Sequence, residues 1–402
     1  VRKRTIAVLS TSRADYSHLF WVLHELRTRP SIDLRLIVMG AHLSPEFGST
    51  AVEIERDGFP IAERIECLQS SDTDVGMAKS IGVAVLGLAE VLGRMRPDLL
   101  LLIADRYELL APAAVALALR IPIAHIEGGE ISEGAIDDAV RNAVSKMSHL
   151  HLTTTEAACV RLRGMSEEGW RIQRVGAASL DHLRRSRLLA REELEVELGV
   201  PVPPQTVVVV HHPLTLARDT LCEIDELFLA LARVERPIMF CFPNADAGSR
   251  LLIDRARTFC RLRRDAVLFV NLPPAVYWSL LRASDLLLGN SSSGIMETAS
   301  LALPTVNVGM RQQGRLRPRN VLDAPAECAA ILQSVEHALS PDFRRGLVGL
   351  TNPYGDGHAA ERIAEALETV CLGQPLLHKV ADEARNKMHA DIGASQQGGD
   401  CA

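Results

Sequence analysis

The sequence predicts an α/β protein of two halves, each a parallel sheet flanked by helices, facing each other across a cleft. Short apolar runs alternate with amphipathic stretches; the alternation pauses after residue 185 and restarts near residue 206; and the pause carries three prolines in "GVPVPPQ" (199–205). Strand–helix alternation is the pattern of a doubly wound parallel sheet, and a proline-rich pause marks a boundary. At 402 residues the chain is also too long for one comfortable core. The expected units are residues 1–185, residues 186–372, and a tail, 373–402, ending in a stretch of disordered composition.

Taken in order, strands are expected at Ile6–Ser10, Leu34–Met39, Leu99–Ile103, Ile123–Ile126, His149–Thr153 and Ile172–Val175. Helical patterns at Ser17–Arg27, Val75–Arg94 and Asp137–Lys146 fall between them. After the charged stretch 181–198, strands are expected again at Thr206–His211, Pro237–Phe242, Ala266–Val270, Asp285–Gly289 and Pro304–Val308. A last helix covers about His358–Val370.

Bulk properties remove several classes. Net charge is −6 with acids and bases interspersed, which argues against a general nucleic-acid binder. Eight scattered cysteines without a CxxC pair fit reduced thiols and a cytoplasmic location. "VRKRTIAVLSTSRAD" puts bases before apolar residues, but its apolar run of about five is short of the roughly 7–15 of a secretory core. No apolar stretch approaches the ~20 residues of a membrane span, and Ile81–Leu92, broken by Gly82 and Gly87, reads as a buried helix. The first turn lacks GxGxxG, and GxxxxGK[ST] and GxSxG are absent, so dinucleotide, P-loop and serine-hydrolase chemistry lose their usual support.

Ligands of open α/β sheets bind beyond the carboxyl ends of the strands. There, "GNSSSGIMET" (289–298) places Ser291, Ser292 and Ser293 at a helix start with Glu297 in its first turns. Unpaired amides and the helix dipole make such a start a phosphate site, although one serine could simply cap the helix. Glu297 is either a helix-start acid or an acceptor for sugar hydroxyls. Arg311, Arg315, Arg317 and Arg319 follow the next strand, as phosphate ligands or as a solvated basic loop. Asn244 and Asp246 follow another strand, to read a base or sugar or to form an Asx turn. "VVVVHHPLT" ends in His211 and His212, which suit proton transfer or phosphate contact; without nearby Cys or acid spacing the pair is only a weak metal signal.

The first half supplies acids. Asp105–Arg106 ends one strand, and Glu127 ends the next before Gly128–Gly129. Asp137 and Asp138 open a helix, with Arg141 at ion-pair spacing from Asp137. Arg13, Asp15 and Ser17 lie in and after the first turn. Each carboxylate has a structural alternative, as a helix-start acid or an ion pair. Several acids opposite a phosphate site point to acid–base chemistry on a phosphorylated substrate.

"TSRADYSHL", "ADRYELLAPA", "AHIEGGEISEGAIDDAVRNAVSK", "HHPLT", "FPNADAGS", "GNSSSGIMET" and "RQQGRLRPRNV" occur in one order over about residues 5–322. Together they resemble the hydrolysing UDP-N-acetylglucosamine 2-epimerases. The resemblance implies a glycosyltransferase-B-like fold of two Rossmann-like domains. It implies conversion of UDP-N-acetylglucosamine and water to UDP and N-acetylmannosamine, a sialic-acid precursor, with no metal or cofactor. Relatives act on UDP- or GDP-2,4-diacetamido-6-deoxy sugars, which is the alternative substrate class. A glycosyltransferase or a non-catalytic sugar-nucleotide sensor would share the fold. The match puts Asp105, Glu127, Asp137 and His212 on catalytic positions. It puts Arg13, Ser17, Arg106, Asn244, Ser291, Ser292, Glu297 and Arg311 on substrate-binding positions, with Asp138 a rival for Asp137. The chain departs from the family in carrying Ala104 where glycine is usual before Asp-Arg. The implied partners are the sugar nucleotide and further copies of the chain, a dimer or tetramer, with no nucleic acid and no membrane.

Overall fold

A computed structural model describes residues 2–69, 73–133, 135–213, 221–242, 249–270 and 272–380. The first half contains β1 (Arg4–Ser10), β2 (Ile32–Met39), β3 (Ile61–Ile65), β4 (Leu99–Ile103), β5 (Ile123–Ile126), β6 (Leu150–Thr153) and β7 (Ile172–Arg174). They form a seven-stranded sheet in the order β3-β2-β1-β4-β5-β6-β7, every pair parallel. The second half contains β8 (Val207–Val210), β9 (Ile238–Phe242), β10 (Ala266–Val270), β11 (Leu286–Gly289), β12 (Thr305–Val308) and β13 (Val321–Ala324). These form a six-stranded parallel sheet ordered β10-β9-β8-β11-β12-β13. The order reverses between β1 and β4 in one sheet and between β8 and β11 in the other, which opens a crevice at each point.

The apolar runs explain the layers. All five residues of β4 are fully buried; Leu99, Leu101 and Ile103 face one core while Leu100 and Leu102 face the other. Helices α1 (Arg13–Thr28), α2 (Asp74–Met95), α3 (Leu110–Leu119) and α4 (Ile136–Met147) follow β1, β3, β4 and β5. A short α5 (Ser293–Met296) follows β11, and α6 (Ala359–Thr369) comes late in the chain.

Four features differ from the sequence expectation. Edge strands β3 and β13 carry mixed polar side chains and mostly incomplete burial, so no apolar run announces them. Helix α6 packs in the core of the first sheet, with Ala360, Ile363, Ala364 and Leu367 against Leu19, Leu23 and Leu26, rather than with the second half. Asp181 secures its start by accepting hydrogen bonds from the Ala359 and Ala360 amides. Residues 373–380, expected in a loose tail, are docked on the first half. Fully buried Arg171 donates to the carbonyls of Pro375, Leu376 and His378, since a buried guanidinium must fill its donors. Finally, α2 is long and apolar enough to cross a membrane by length and composition, because its glycines lower apolar density without ending the helix; 33% of its most apolar window is buried.

Candidate active site

The first-half residues converge at the reversal point. Arg13 opens α1 just past β1, and its side chain is buried. It lies 3.6 Å from Glu53, yet neither terminal nitrogen makes a hydrogen bond. Burial lowers its pKa, which the Glu53 charge partly opposes. A buried guanidinium with undirected donors is poised for an anion. Ser17 is half-buried on the next turn, its carbonyl held by His182 at 2.8 Å.

Asp105 pairs with Arg141, which is fully buried on α4. Arg106 instead forks onto buried Glu108, at 3.2 and 3.1 Å. The i,i+4 pairing of Asp137 with Arg141 gives way to a longer reach: Asp137 meets Arg311 of the second half at 3.4 Å. Its rival Asp138 is occupied by structure, accepting from the Ser132 amide at 2.7 Å and Asn142 at 3.0 Å. The glycines after Glu127 serve packing. A Cβ on Gly129 would stand 2.6 Å from the Ala158 carbonyl, and one on Gly128 2.9 Å from Ser145.

Glu127 is buried and bonded to a residue that the sequence did not single out. His18 of α1 donates from Nδ1 to Glu127 at 2.8 Å, and its Nε2 stands 3.8 Å from Glu297 of the second half. Burial disfavours the imidazolium, but Glu127, Glu297 and Asp15 outweigh it and raise the His18 pKa to about 9. Burial likewise pushes the Glu127 carboxyl up, and the His18 charge and hydrogen bond more than offset it, so Glu127 sits below the usual range. A histidine on an amphipathic helix reads as a solvated face; its place one residue past Ser17 was the available signal.

In the second half, β8 and β11 are locked at their ends. Gly289 has φ +140°, and a Cβ there would lie 2.0 Å from the Val210 carbonyl. Asn290, also missed from sequence, accepts from the His212 amide at 2.7 Å and donates to the His212 carbonyl at 2.8 Å. His212 is thus fixed at the cleft mouth and buried. Its neighbour His211 is pushed down to about 3 by burial and by Arg311, so it stays neutral.

Ser291 is buried and Ser292 half-buried at the start of α5, and Ser292 caps no amide with its side chain. The helix is only four residues long, so Glu297 closes it rather than lying in its first turns; it accepts from Ser293 at 2.5 Å. Of the four arginines, Arg311 and Arg315 reach the first half, Arg315 through the Ile131 carbonyl at 2.7 Å. Arg317 folds back on Asp323, and Arg319 is exposed. Asn244 and Asp246 lie outside the described residues. Among the described residues, no group of three or more His, Cys, Asp or Glu side chains is arranged to hold a metal.

Two parallel-sheet halves, with Asp137 of one meeting Arg311 of the other, define a glycosyltransferase-B-like α/β protein. A solved UDP-GlcNAc 2-epimerase from Neisseria meningitidis, bound to UDP-GlcNAc, has this fold: TM-score 0.76, 18% identity, covering 90% of this chain and 99% of that one. The sequence model of UDP-N-acetylglucosamine 2-epimerase matches residues 24–368, and the chain belongs to that family. It is 35% identical over 346 residues to a GDP/UDP-N,N'-diacetylbacillosamine 2-epimerase (hydrolyzing) of Campylobacter jejuni, spanning 85% of this chain and 89% of the relative. It is 35% identical over 377 residues to the UDP-N,N'-diacetylbacillosamine 2-epimerase (hydrolyzing) of Legionella pneumophila, spanning 94% and 98%. A UDP-N-acetylglucosamine 2-epimerase of Neisseria meningitidis is 29% identical over 342 residues, spanning 84% and 88%.

Proposed function

We propose that this chain is a hydrolysing 2-epimerase whose substrate is a nucleoside-diphosphate 2,4-diacetamido-2,4,6-trideoxy sugar, in place of the UDP-N-acetylglucosamine expected first. The substrate class is supported by the two 35% relatives, both named for diacetylbacillosamine, against 29% for the relative named for UDP-N-acetylglucosamine. The observation that carries the chemistry is the set of first-half carboxylates Asp105, Glu127 and Asp137 at the cleft, with Arg311 of the second half against Asp137.

In this reading the diphosphate is held by Arg13, Arg311 and the Ser291–Ser292 turn, with Ser17 and Arg106 beside it. They stabilise the charge that develops as the C1–O bond breaks and its electron pair leaves with the diphosphate. A carboxylate takes the C2 proton, leaving a glycal. Water then adds oxygen to C1 while a proton is delivered to the opposite face of C2, giving the free 2-epimer. Two faces call for two proton carriers, drawn from Glu127, Asp105, Asp137 and His212. His18 keeps Glu127 ionised, the form a base needs. Glu297 and Asn244 contact sugar and nucleoside hydroxyls.

The test is a proton NMR time course in D2O with the UDP-activated diacetamido sugar and, separately, UDP-N-acetylglucosamine. The expected result is UDP plus the free 2-epimer carrying deuterium at C2, formed faster from the first substrate. Faster turnover of UDP-N-acetylglucosamine would return the substrate to the simpler sugar. A glycoside product, or binding without turnover, would overturn the hydrolytic mechanism.

A further inference from the structure

The serine turn carries three hydroxyls, and the third is used differently from the first two. Ser293 accepts from the Tyr277 hydroxyl at 2.9 Å and donates to Oε2 of Glu297 at 2.5 Å. A serine has one proton to give, so Ser293 has none left for a phosphate. Tyr277 lies on the helix Pro274–Ala283. Burial and the Glu297 charge keep its phenol protonated, which fixes Tyr277 as the donor and Ser293 as the link.

Glu297 is thereby pinned by one oxygen. The other, Oε1, stands 3.8 Å from Nε2 of His18 across the cleft. Charge-assisted pairs that are free to close reach about 2.7–2.9 Å, so this one stops roughly 1 Å short. The surroundings favour closure. Only 8% of the Glu297 side chain and 20% of the His18 side chain are exposed. Burial opposes the charge on His18, but Glu127 at its Nδ1, Glu297, and Asp15 on its own helix outweigh burial and keep it protonated. His182, packed beside it from the crossover segment, is pushed down to about 4 by burial and stays neutral.

A donor and an acceptor that attract each other and yet stand apart need a restraint. Ser293 supplies it, and the gap it leaves has a definite chemistry. A hydroxyl oxygen about 2.8 Å from each atom would accept from Nε2 of His18 and donate to Oε1 of Glu297. A phosphate oxygen would meet the carboxylate as a like charge, and an apolar group would leave both partners unpaired.

We propose that Ser293, fixed by Tyr277, is a positioning residue that holds Glu297 off His18 and so keeps open a slot across the cleft for one substrate hydroxyl. The identity of the occupant rests on the sugar-nucleotide reading above; the restraint on Glu297 does not.

The test is a carbon-13 histidine NMR titration of the full chain, with the His18 resonance assigned by its loss in His18→Gln. In Ser293→Ala the buried Glu297 loses its donor and closes on His18, so the His18 pKa should rise by roughly half a pH unit or more. Tyr277→Phe should move it the same way by less, and it carries the titration if Ser293→Ala is unstable. In a Glu297→Gln background, Ser293→Ala should move it no further. None of this needs substrate, so it is decided apart from the epimerase reading. In the D2O assay, Ser293→Ala should raise KM about tenfold with kcat at pH 7 within about threefold, because the substrate must reopen the pair. Calorimetry with UDP, and with UDP lacking both ribose hydroxyls, identifies the occupant. Weakening of UDP alone supports the proposal with a ribose hydroxyl in the slot; weakening of neither, with KM raised, supports it with a hydroxyl of the transferred sugar. Equal weakening of both would put Ser293 on the diphosphate and overturn the proposal. An unchanged or lowered His18 pKa, a further shift in the Glu297→Gln background, or a fall in kcat with KM unmoved would overturn it too.

Discussion

The two halves turn their chains into the cleft in opposite ways. In the first half, the residues at the ends of β4 and β5 that adopt left-handed backbone carry side chains: Ala104 at φ +64° and Glu127 at φ +65°. In the second half, the left-handed residue at the end of β11 is Gly289, with the Val210 carbonyl against its open side. Left-handed backbone costs an L-residue roughly 1–2 kcal/mol. The first half accepts that cost where the side chain is needed, since Glu127 must reach His18 and the cleft. The second half gives up the side chain where close backbone approach is needed, to lock β8 against β11. At these strand ends the one half keeps a side chain on strained backbone and the other uses glycine to admit a close backbone.

The largest effect should come from breaking the architectural side. Gly289→Ala pushes a methyl into the Val210 carbonyl. A loss of more than ~4 kcal/mol is expected in denaturant unfolding, or no soluble protein at all. Mild destabilisation would mean that the β8–β11 lock is dispensable.

On the chemical side, Glu127→Gln should lower turnover by about a thousandfold while nucleotide binding by calorimetry stays within a few-fold. A collapse of nucleotide affinity instead would make Glu127 a structural member.

His18→Gln sharpens the role of the buried pair. In the wild type, activity should fall as pH rises through about 9, where His18 loses its proton. The variant should lose that alkaline limb. Its acid limb should move to higher pH, because Glu127 no longer has the cation that holds its pKa down. His18→Lys, which keeps the charge, should recover part of the rate. The stability linkage has a definite sign. The folded pKa of His18 is raised, so its contribution is complete below about 6.5 and is lost as pH rises through about 9.

Ala104→Gly is the smallest change. It relieves left-handed alanine at the cost of a more flexible unfolded chain, for a gain of up to about 1 kcal/mol. A loss would mean that the Ala104 methyl, which packs on the first core, outweighs its backbone strain.

Much of this was legible in the sequence, and the gaps have physical reasons. β4 and β5 appear with their own boundaries because buried parallel strands are continuous apolar runs. Asp105, Glu127 and the His211–His212 pair could be placed at strand ends from the residues alone; the choice of His212 over His211 came from the family resemblance. His18 and Asn290 did not, because His18 matters through Glu127 and Glu297 and Asn290 through His212, all more than 70 residues away. The pattern of α6 shows an apolar face but not which sheet receives it, so it was placed with the wrong half. The serine turn was read as a longer helix because Gly-Ile-Met-Glu continues its pattern; the structure ends it at Met296.

The return of α6 has a mechanical consequence. The chain passes between the halves twice, outward after Ser186, whose hydroxyl accepts from Trp21 of the first half, and back near Tyr354, whose carbonyl accepts from the Ala177 amide at 2.7 Å. Two strands of a tether fastened side by side act as a hinge pin: they resist sliding and twisting but leave rotation about their common line. Any breathing of the cleft is therefore a swing. The contact of Arg315 with Ile131 and Ser132 lies beside that line, since the Tyr354 hydroxyl donates to the Leu316 carbonyl at 2.9 Å, so it moves little in such a swing.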